Sequence, residues 1–283
     1  MKKCLILADS YKAQAKTLSQ KMAAFLDERG VESAVFPYDG NKVLSGEAVA
    51  DFTGADFVVT LGGDGTVLYA CRCCAPRGIP VIAVNLGEFG FIAPVQPAVW
   101  RDDLEIFLAG KSRISERFLA HCEVLRQGRT VFQSLAVNDC VISCPSSRLV
   151  NLSVAYNHAL LGPFKSSGII ISTPTGSTAY SVAAGGPIIE PETKALLLTP
   201  VSSFSLSARP LVFGEAGELA VTVMPSRFDV SLACDGQVRF PLETDDVLIV
   251  QAAGCKAQLV GATQEKFYAA LQSKLNWSGA PRS

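Results

Sequence analysis

Residues 60 to 70, TLGGDGTVLYA, set Gly62, Gly63 and Gly65 around a single carboxylate, Asp64, where an apolar run gives way to a helix-compatible one. Glycines permit tight, positive-φ backbone, so N–H groups can converge on phosphate oxygens beside a helix beginning at Thr66. A carboxylate among phosphates is repulsive unless it handles a proton or a cation. The plainer alternative is a glycine turn in which Asp64 caps the helix. The loop is not a Walker A motif, because no Gly-Lys-Ser/Thr follows, and no G-x-G-x-x-G turn of the dinucleotide-binding type occurs.

Two further segments carry polar chemistry inside apolar surroundings. ISTPTGSTAYSVAAGGPI, residues 171 to 188, packs Ser172, Thr173, Thr175, Ser177, Thr178, Tyr180 and Ser181 around Gly176, Gly185 and Gly186. Such hydroxyls suit either a surface loop or a polar ligand site, and the apolar flanks on both sides favour the site. In AVNDCVI, Asn138 and Asp139 interrupt an apolar run, and a buried amide and carboxylate need partners. A ribose diol would supply them; so would a satisfied structural pair.

The elements that position these segments divide the 283 residues into two patterns. Up to about residue 98, short apolar runs (CLILA, ESAVF, DFVVTLG, IPVIAVN) alternate with amphipathic stretches, as in an α/β domain of buried parallel strands. Leu18, Met22, Phe25 and Leu26 share one helical face, with Gly30 at the C-terminal cap. WRDDLEIFLAGK reads as a helix leading out of this domain. From there to about residue 250, short β-branched runs separated by turn residues predict an antiparallel β domain. TQEKFYAALQSKLNW returns to helical spacing and is expected to rejoin the first domain. The reading is therefore a Rossmann-like α/β domain with a parallel sheet, residues 1–98 completed by 251–283, plus an all-β domain, residues 99–250.

Composition narrows the partners. Charged residues make up 18% and no uncharged stretch reads as a membrane span, so the chain is expected to be soluble, with no membrane partner. MKKCLILADSYK is read as a buried first strand, since Asp9 and Lys12 cut the apolar run too short for a leader. A formal net charge of −1 without a basic block argues against nucleic acid and leaves a small molecule as the default ligand. Nine cysteines without a secretory signal read as reduced thiols of a cytoplasmic protein. CRCC, residues 71 to 74, lacks a second pair at ligand spacing, and His121 and His158 are the chain's two histidines, so no metal ligands are assigned.

GGDGT (62–66), NLGEFGF (85–91), ND (138–139), TPTGSTAYSVAAGGPI (173–188), SLSARPLV (205–212) and CDGQ (234–237) together resemble the ATP- or polyphosphate-dependent NAD kinases in order and spacing, over essentially the whole chain. The glycine loop alone is shared with diacylglycerol and sphingosine kinases and phosphofructokinases; the hydroxyl-rich motif is far more specific. The resemblance implies phosphoryl transfer to the adenosine 2′-hydroxyl of NAD, giving NADP. It implies Asp64 as the catalytic residue and Gly63, Gly65 and Thr66 as the phosphate-side loop. Asn138 and Asp139 would hold the ribose, Phe91 would lie near the adenine, and Thr175, Thr178, Ala179 and Tyr180 would line the NAD pocket. Lys165 matches a basic position that reaches across a subunit interface, in a homodimer or homotetramer. Mg²⁺ would accompany ATP. A lipid kinase sharing the glycine loop and a catalytically weak NAD-binding sensor are the rival readings.

Three positions depart from the resemblance. KSSG places Ser167 where the family carries an acidic residue helping to hold the nicotinamide half, Phe204 stands where His is common, and Glu88 where a basic or polar residue is frequent. Asp64 and the adenosine side match.

Overall fold

The computed structural model describes residues 1–45, 49–87, 90–144, 148–205 and 207–275, without the side chains of 43–45. The chain divides into two compact units, Met1–Glu116 with Ala257–Ser283, and Arg117–Lys256. The first unit thus extends beyond residue 98: the WRDDLEIFLAGK segment stays in it, because Trp100 and Leu104 are buried in the same core as Phe25 and Phe57.

The first unit begins β1 (Lys3–Asp9), α1 (Ala13–Asp27), β2 (Glu32–Tyr38), α2 (Gly40–Ser45), β3 (Phe57–Gly62), α3 (Asp64–Cys74), β4 (Pro80–Asn85) and α4 (Trp100–Leu108). Its strands pair in the order β2-β1-β3-β4, all parallel. α1 buries Leu18, Met22, Phe25 and Leu26 on one face, as their spacing requires, and Gly30 takes the left-handed conformation that ends the helix. β3 is buried at every residue and β4 at all but its first, the continuous apolar pattern of strands covered on both faces. β2 departs from expectation. Tyr38 is its one buried residue, since it is the edge strand of the sheet, where Pro37 costs no ladder hydrogen bond.

The second unit is built on antiparallel strand pairs. Its elements are most of β5 (Ile114–Arg126), β6 (Arg129–Ala136), β7 (Asp139–Ser143), β8 (Val150–Tyr156), β9 (Ala159–Ser166), β10 (Gly168–Ser172), α5 (Tyr180–Ala183), β11 (Ala195–Val201), β12 (Leu211–Gly214), β13 (Leu219–Val223), β14 (Val230–Cys234), β15 (Val238–Leu242) and most of β16 (Val247–Val260). One sheet runs β12-β11-β10-β7-β14-β15. The other contains β16-β13-β8-β9, with β5 paired to β16 and β6. Alternate residues of both sheets, such as Leu152 and Val154 on β8 and Ile169 and Ile171 on β10, interleave in a shared core. The end of β16 belongs to the first unit, where Gln258 and Leu259 pair in parallel with β4. α6 (Gln264–Leu275) follows and buries Phe267, Ala270 and Leu271, so the C-terminal segment does rejoin the first unit. Among the described residues no helix is long and apolar enough to cross a membrane.

Candidate active site

In the first unit the candidate residues gather beyond the carboxyl ends of the parallel strands, where open α/β sheets bind ligands. β3 ends at Gly62, Gly63 follows in extended conformation (φ −110°), and α3 starts at Asp64. Two features differ from what the sequence predicts. Gly63 and Gly65 take extended and helical backbone rather than positive φ, and the helix begins at Asp64, two residues before Thr66. Asp64 is therefore not the cap: Gly63 occupies that position and no side chain caps the helix. Thr66 is buried with its hydroxyl against Gly62.

Asp64 points instead toward the chain after β4. Its carboxylate crowds Gly90 so closely that any side chain there would collide with Oδ1, which gives that glycine its reason. Burial pushes the Asp64 pKa above the usual carboxylate range, opposed by the Lys274 ammonium, the N–H groups of Phe91 and Ile92, and Lys12. Oδ1 is buried with no hydrogen-bond partner among the described residues. The Phe91 ring centroid lies 6.2 Å from that of Phe267, and the Lys274 ammonium lies over the Phe91 ring, 5.2 Å from its centroid. Lys12, in the turn after β1, was not singled out by the sequence. Its ammonium lies 3.8 Å from where a side chain on Gly63 would begin and 3.0 Å from the same point on Gly87. A cation thus stands over the glycine loop, although the loop itself carries no lysine.

In the second unit, Asn138 and the hydroxyl-rich motif are built against each other. Thr173 donates from its backbone N–H to the Asn138 carbonyl (2.9 Å) and from its hydroxyl to the Val137 carbonyl (2.5 Å), and its oxygen accepts the Gly176 N–H (3.1 Å). Gly176 rests on the Asn138 backbone, leaving no room for a Cβ. Two further hydroxyls of the motif brace its own backbone: Ser177 donates to the Pro174 carbonyl (2.7 Å) and accepts the Ile189 N–H (2.9 Å), and Thr178 donates to the Thr175 carbonyl (3.2 Å). Asn138 Oδ1, Thr175 Oγ1 and Ser172 Oγ are different. They are buried and lack a hydrogen-bond partner among the described residues, which suits atoms awaiting a polar ligand. Ala179 precedes α5 and is half-buried; Tyr180, the first residue of α5, is exposed.

Asp235 is the residue that holds this arrangement. Its carboxylate accepts the backbone N–H groups of Val137 (3.0 Å), Asn138 (2.7 Å) and Asp139 (3.2 Å). The sequence contains it within CDGQ without revealing that role. Burial, with Asp235 nearby, pushes the Asp139 pKa up to about 7. Because this exceeds its ordinary 3.8, the folded protein retains a proton that the unfolded chain has released. The associated stability is complete below the ordinary value and is lost as pH rises through about 7. Thermal melts across that interval should show wild type falling relative to Asp139→Asn by a few kcal/mol as pH rises. A pH-independent gap between the two would contradict the assignment.

Lys165, on β9, holds its ammonium 5.2 Å over the Phe204 ring, and its carbonyl accepts the Phe204 N–H (2.8 Å). The Phe204 departure therefore pairs with Lys165 rather than with the Asn138 cluster. Ser167 donates its N–H to the Val201 carbonyl (3.0 Å). Glu88 lies outside the described residues. The cysteines of CRCC belong to α3, with Cys71 and Cys74 buried in the core.

A carboxylate able to receive a proton, with ammonium groups beside a glycine loop at the start of a helix, is the equipment of a phosphotransferase, and that is the class this fold and site define. Residues 41–112 match the ATP-NAD kinase N-terminal domain and residues 137–262 the ATP-NAD kinase C-terminal domain. The chain is 42% identical to the NAD kinase of Treponema denticola over 282 residues, covering 99% of this chain and 98% of that protein. It is 42% identical to the NAD kinase of Treponema pallidum over 280 residues, covering 98% and 90%. The chain belongs to the ATP-NAD kinase family and is an NAD kinase, an enzyme of NADP biosynthesis. Among solved structures it superposes on yeast NADH kinase complexed with NADH at TM-score 0.86, with 22% identity, covering 100% of this chain and 89% of that one. An NAD kinase from Archaeoglobus fulgidus in complex with ATP gives TM-score 0.76 and 19% identity, covering 98% and 99%.

Proposed function

We propose that this enzyme moves the terminal phosphoryl group of ATP or inorganic polyphosphate to the adenosine 2′-hydroxyl of NAD, with Asp64 as general base. One observation carries the reading: Asp64 Oδ1 is buried and uncommitted at the first turn of α3, on a carboxyl group whose pKa burial has raised. As the 2′-oxygen bonds to phosphorus, the bond from phosphorus to the leaving phosphate oxygen breaks and the hydroxyl proton passes to Asp64. A raised pKa makes the carboxylate a stronger proton acceptor.

Gly63, Gly65 and Thr66 supply the helix-terminal backbone that faces the donor phosphates, and Lys12 adds the positive charge the loop lacks. Asp64, a hard oxygen donor, suits Mg²⁺ carried with the donor and is the residue that would hold it. When bound, that ion neutralises charge on the phosphate oxygens. On the acceptor side, Asn138 and Asp139 orient the ribose, while Thr175, Thr178, Ala179 and Tyr180 line the dinucleotide pocket. Phe91 stacks near the adenine. Lys165 serves a homodimer or homotetramer from its position on the surface. Nine free cysteines agree with work in the reducing cytoplasm.

Purified protein given NAD with ATP, and separately with polyphosphate, should form NADP with at least one donor. Intact NAD affinity without NADP from either would make it a dinucleotide sensor, and phosphorylation of a lipid hydroxyl instead would make it a lipid kinase. Lys12→Ala should raise the donor KM by roughly 10–100-fold, the scale of a lost charge-assisted contact, with little change in the KM for NAD. An unchanged donor KM would remove Lys12 from the phosphate site.

A further inference from the structure

Behind the Asn138–Asp139 turn, the second unit holds a cluster that the kinase chemistry leaves unused. Cys140 on β7 and Cys234 on β14 are cross-strand partners, so their side chains leave the sheet on the same face. Cys122, on β5 of the other sheet, meets them in the core that the two sheets share. All three residues are fully buried, their sulfurs lie within 4.8 Å of one another, and Cys122 Sγ is 3.2 Å from Cys234 Sγ. Sequence spacing could not reveal the group, because 112 residues separate Cys122 from Cys234.

We propose that Cys122, Cys140 and Cys234 form a binding site for one soft, thiophilic cation. Sulfur triangles with edges in this range have centres ~2–2.8 Å from each sulfur, which brackets the ~2.3 Å thiolate–metal bond. The three sulfurs thus already surround a point where a cation can sit. The donor set selects the class of ion. It is all sulfur, with no histidine or carboxylate in the group, and thiolates prefer soft cations such as Cu(I) or Cd(II). Three ligands suit trigonal coordination better than the closed four-ligand shell of structural zinc. Each sulfur that bonds the cation does so as a thiolate, and its proton passes to solvent. The cation's charge offsets that of the thiolates, which unpaired would be costly in the apolar core.

The site has a direct line to the acceptor pocket. Cys140 follows Asp139 and Cys234 precedes Asp235, so an ion there ties together the strands carrying both carboxylates. Occupancy is therefore expected to stiffen the Asn138–Asp139 turn as well as the core.

The test uses Cd(II) alone as the probe, equilibrated with the intact protein under reducing conditions. The half-exposed thiols are first removed as Cys73→Ser and Cys255→Ser. This protein should still take up about one cadmium, with an ultraviolet thiolate-to-cadmium band and a Tm rise of roughly 5 °C or more at saturating cation. Adding Cys122→Ala should abolish both signals while NADP formation continues, and Cys234→Ser provides an independent second removal if the first variant folds poorly. Absence of the band in the protein lacking only Cys73 and Cys255, or its survival after either triad cysteine is removed, would overturn the proposal.

Discussion

Asp64→Asn is expected to slow single-turnover NADP formation by about 10²–10⁴-fold while NAD affinity stays near its wild-type value. The substitution preserves size and hydrogen-bonding reach and removes the basic oxygen. A capping role predicts a different result, because asparagine caps about as well as aspartate. The structure already separates the two, since Gly63 holds the cap position and Asp64 begins the helix. Any lost cation steering adds to the rate effect rather than reducing it. Near-normal turnover in the variant would end the assignment of Asp64 as base, and lost NAD affinity with unchanged turnover at saturation would recast it as a binding residue.

Asp235→Ala is expected to damage stability and acceptor binding together. The variant strips the acceptor from three consecutive backbone N–H groups, those of Val137, Asn138 and Asp139, of which the first and third residues are buried. Bonds to a charged acceptor contribute ~1.5–3 kcal/mol each, and orphaned buried donors add their desolvation penalty. Asp235 also adopts a positive φ of 52°, which asparagine tolerates better than alanine. A loss of about 3–5 kcal/mol follows, with NAD affinity down roughly 10–100-fold as the Asn138–Asp139 turn loosens. Asp235→Asn keeps one acceptor oxygen and the left-handed turn, so it should fall between the two. Calorimetric NAD titration beside thermal melts measures both effects; wild-type values for Asp235→Ala would show that the clasp contributes neither.

What the sequence disclosed follows the range over which each signal acts. Helix periodicity in α1 and the apolar runs of β3 and β4 are local, and they were readable because the burial that explains them is continuous along the segment. β2 misled because an edge strand can be as rich in Val and Phe as a central one, and only sheet order decides its exposure. The glycine loop marks Asp64, but extended and helical backbone stands where glycine spacing predicts a tight turn. Lys12 and Gly90 were silent, because parallel pairing brings the chain after β1 and β4 to the chain after β3. The hydroxyl-rich motif was ambiguous for a physical reason: Thr173, Ser177 and Thr178 use their hydroxyls on neighbouring backbone, and composition does not distinguish them from Thr175, whose hydroxyl is uncommitted. Asp235 lies 96 residues from Asp139, beyond any local pattern.

Phosphorus NMR of the product formed from NAD and ATP tests the central claim most directly, because it locates the new phosphate by its coupling to the ribose. A single phosphomonoester on the adenosine 2′-oxygen, formed by the wild-type protein and reduced in rate by Asp64→Asn, is the predicted result. A phosphate on any other oxygen of NAD, or no transfer to NAD at all, would contradict the account.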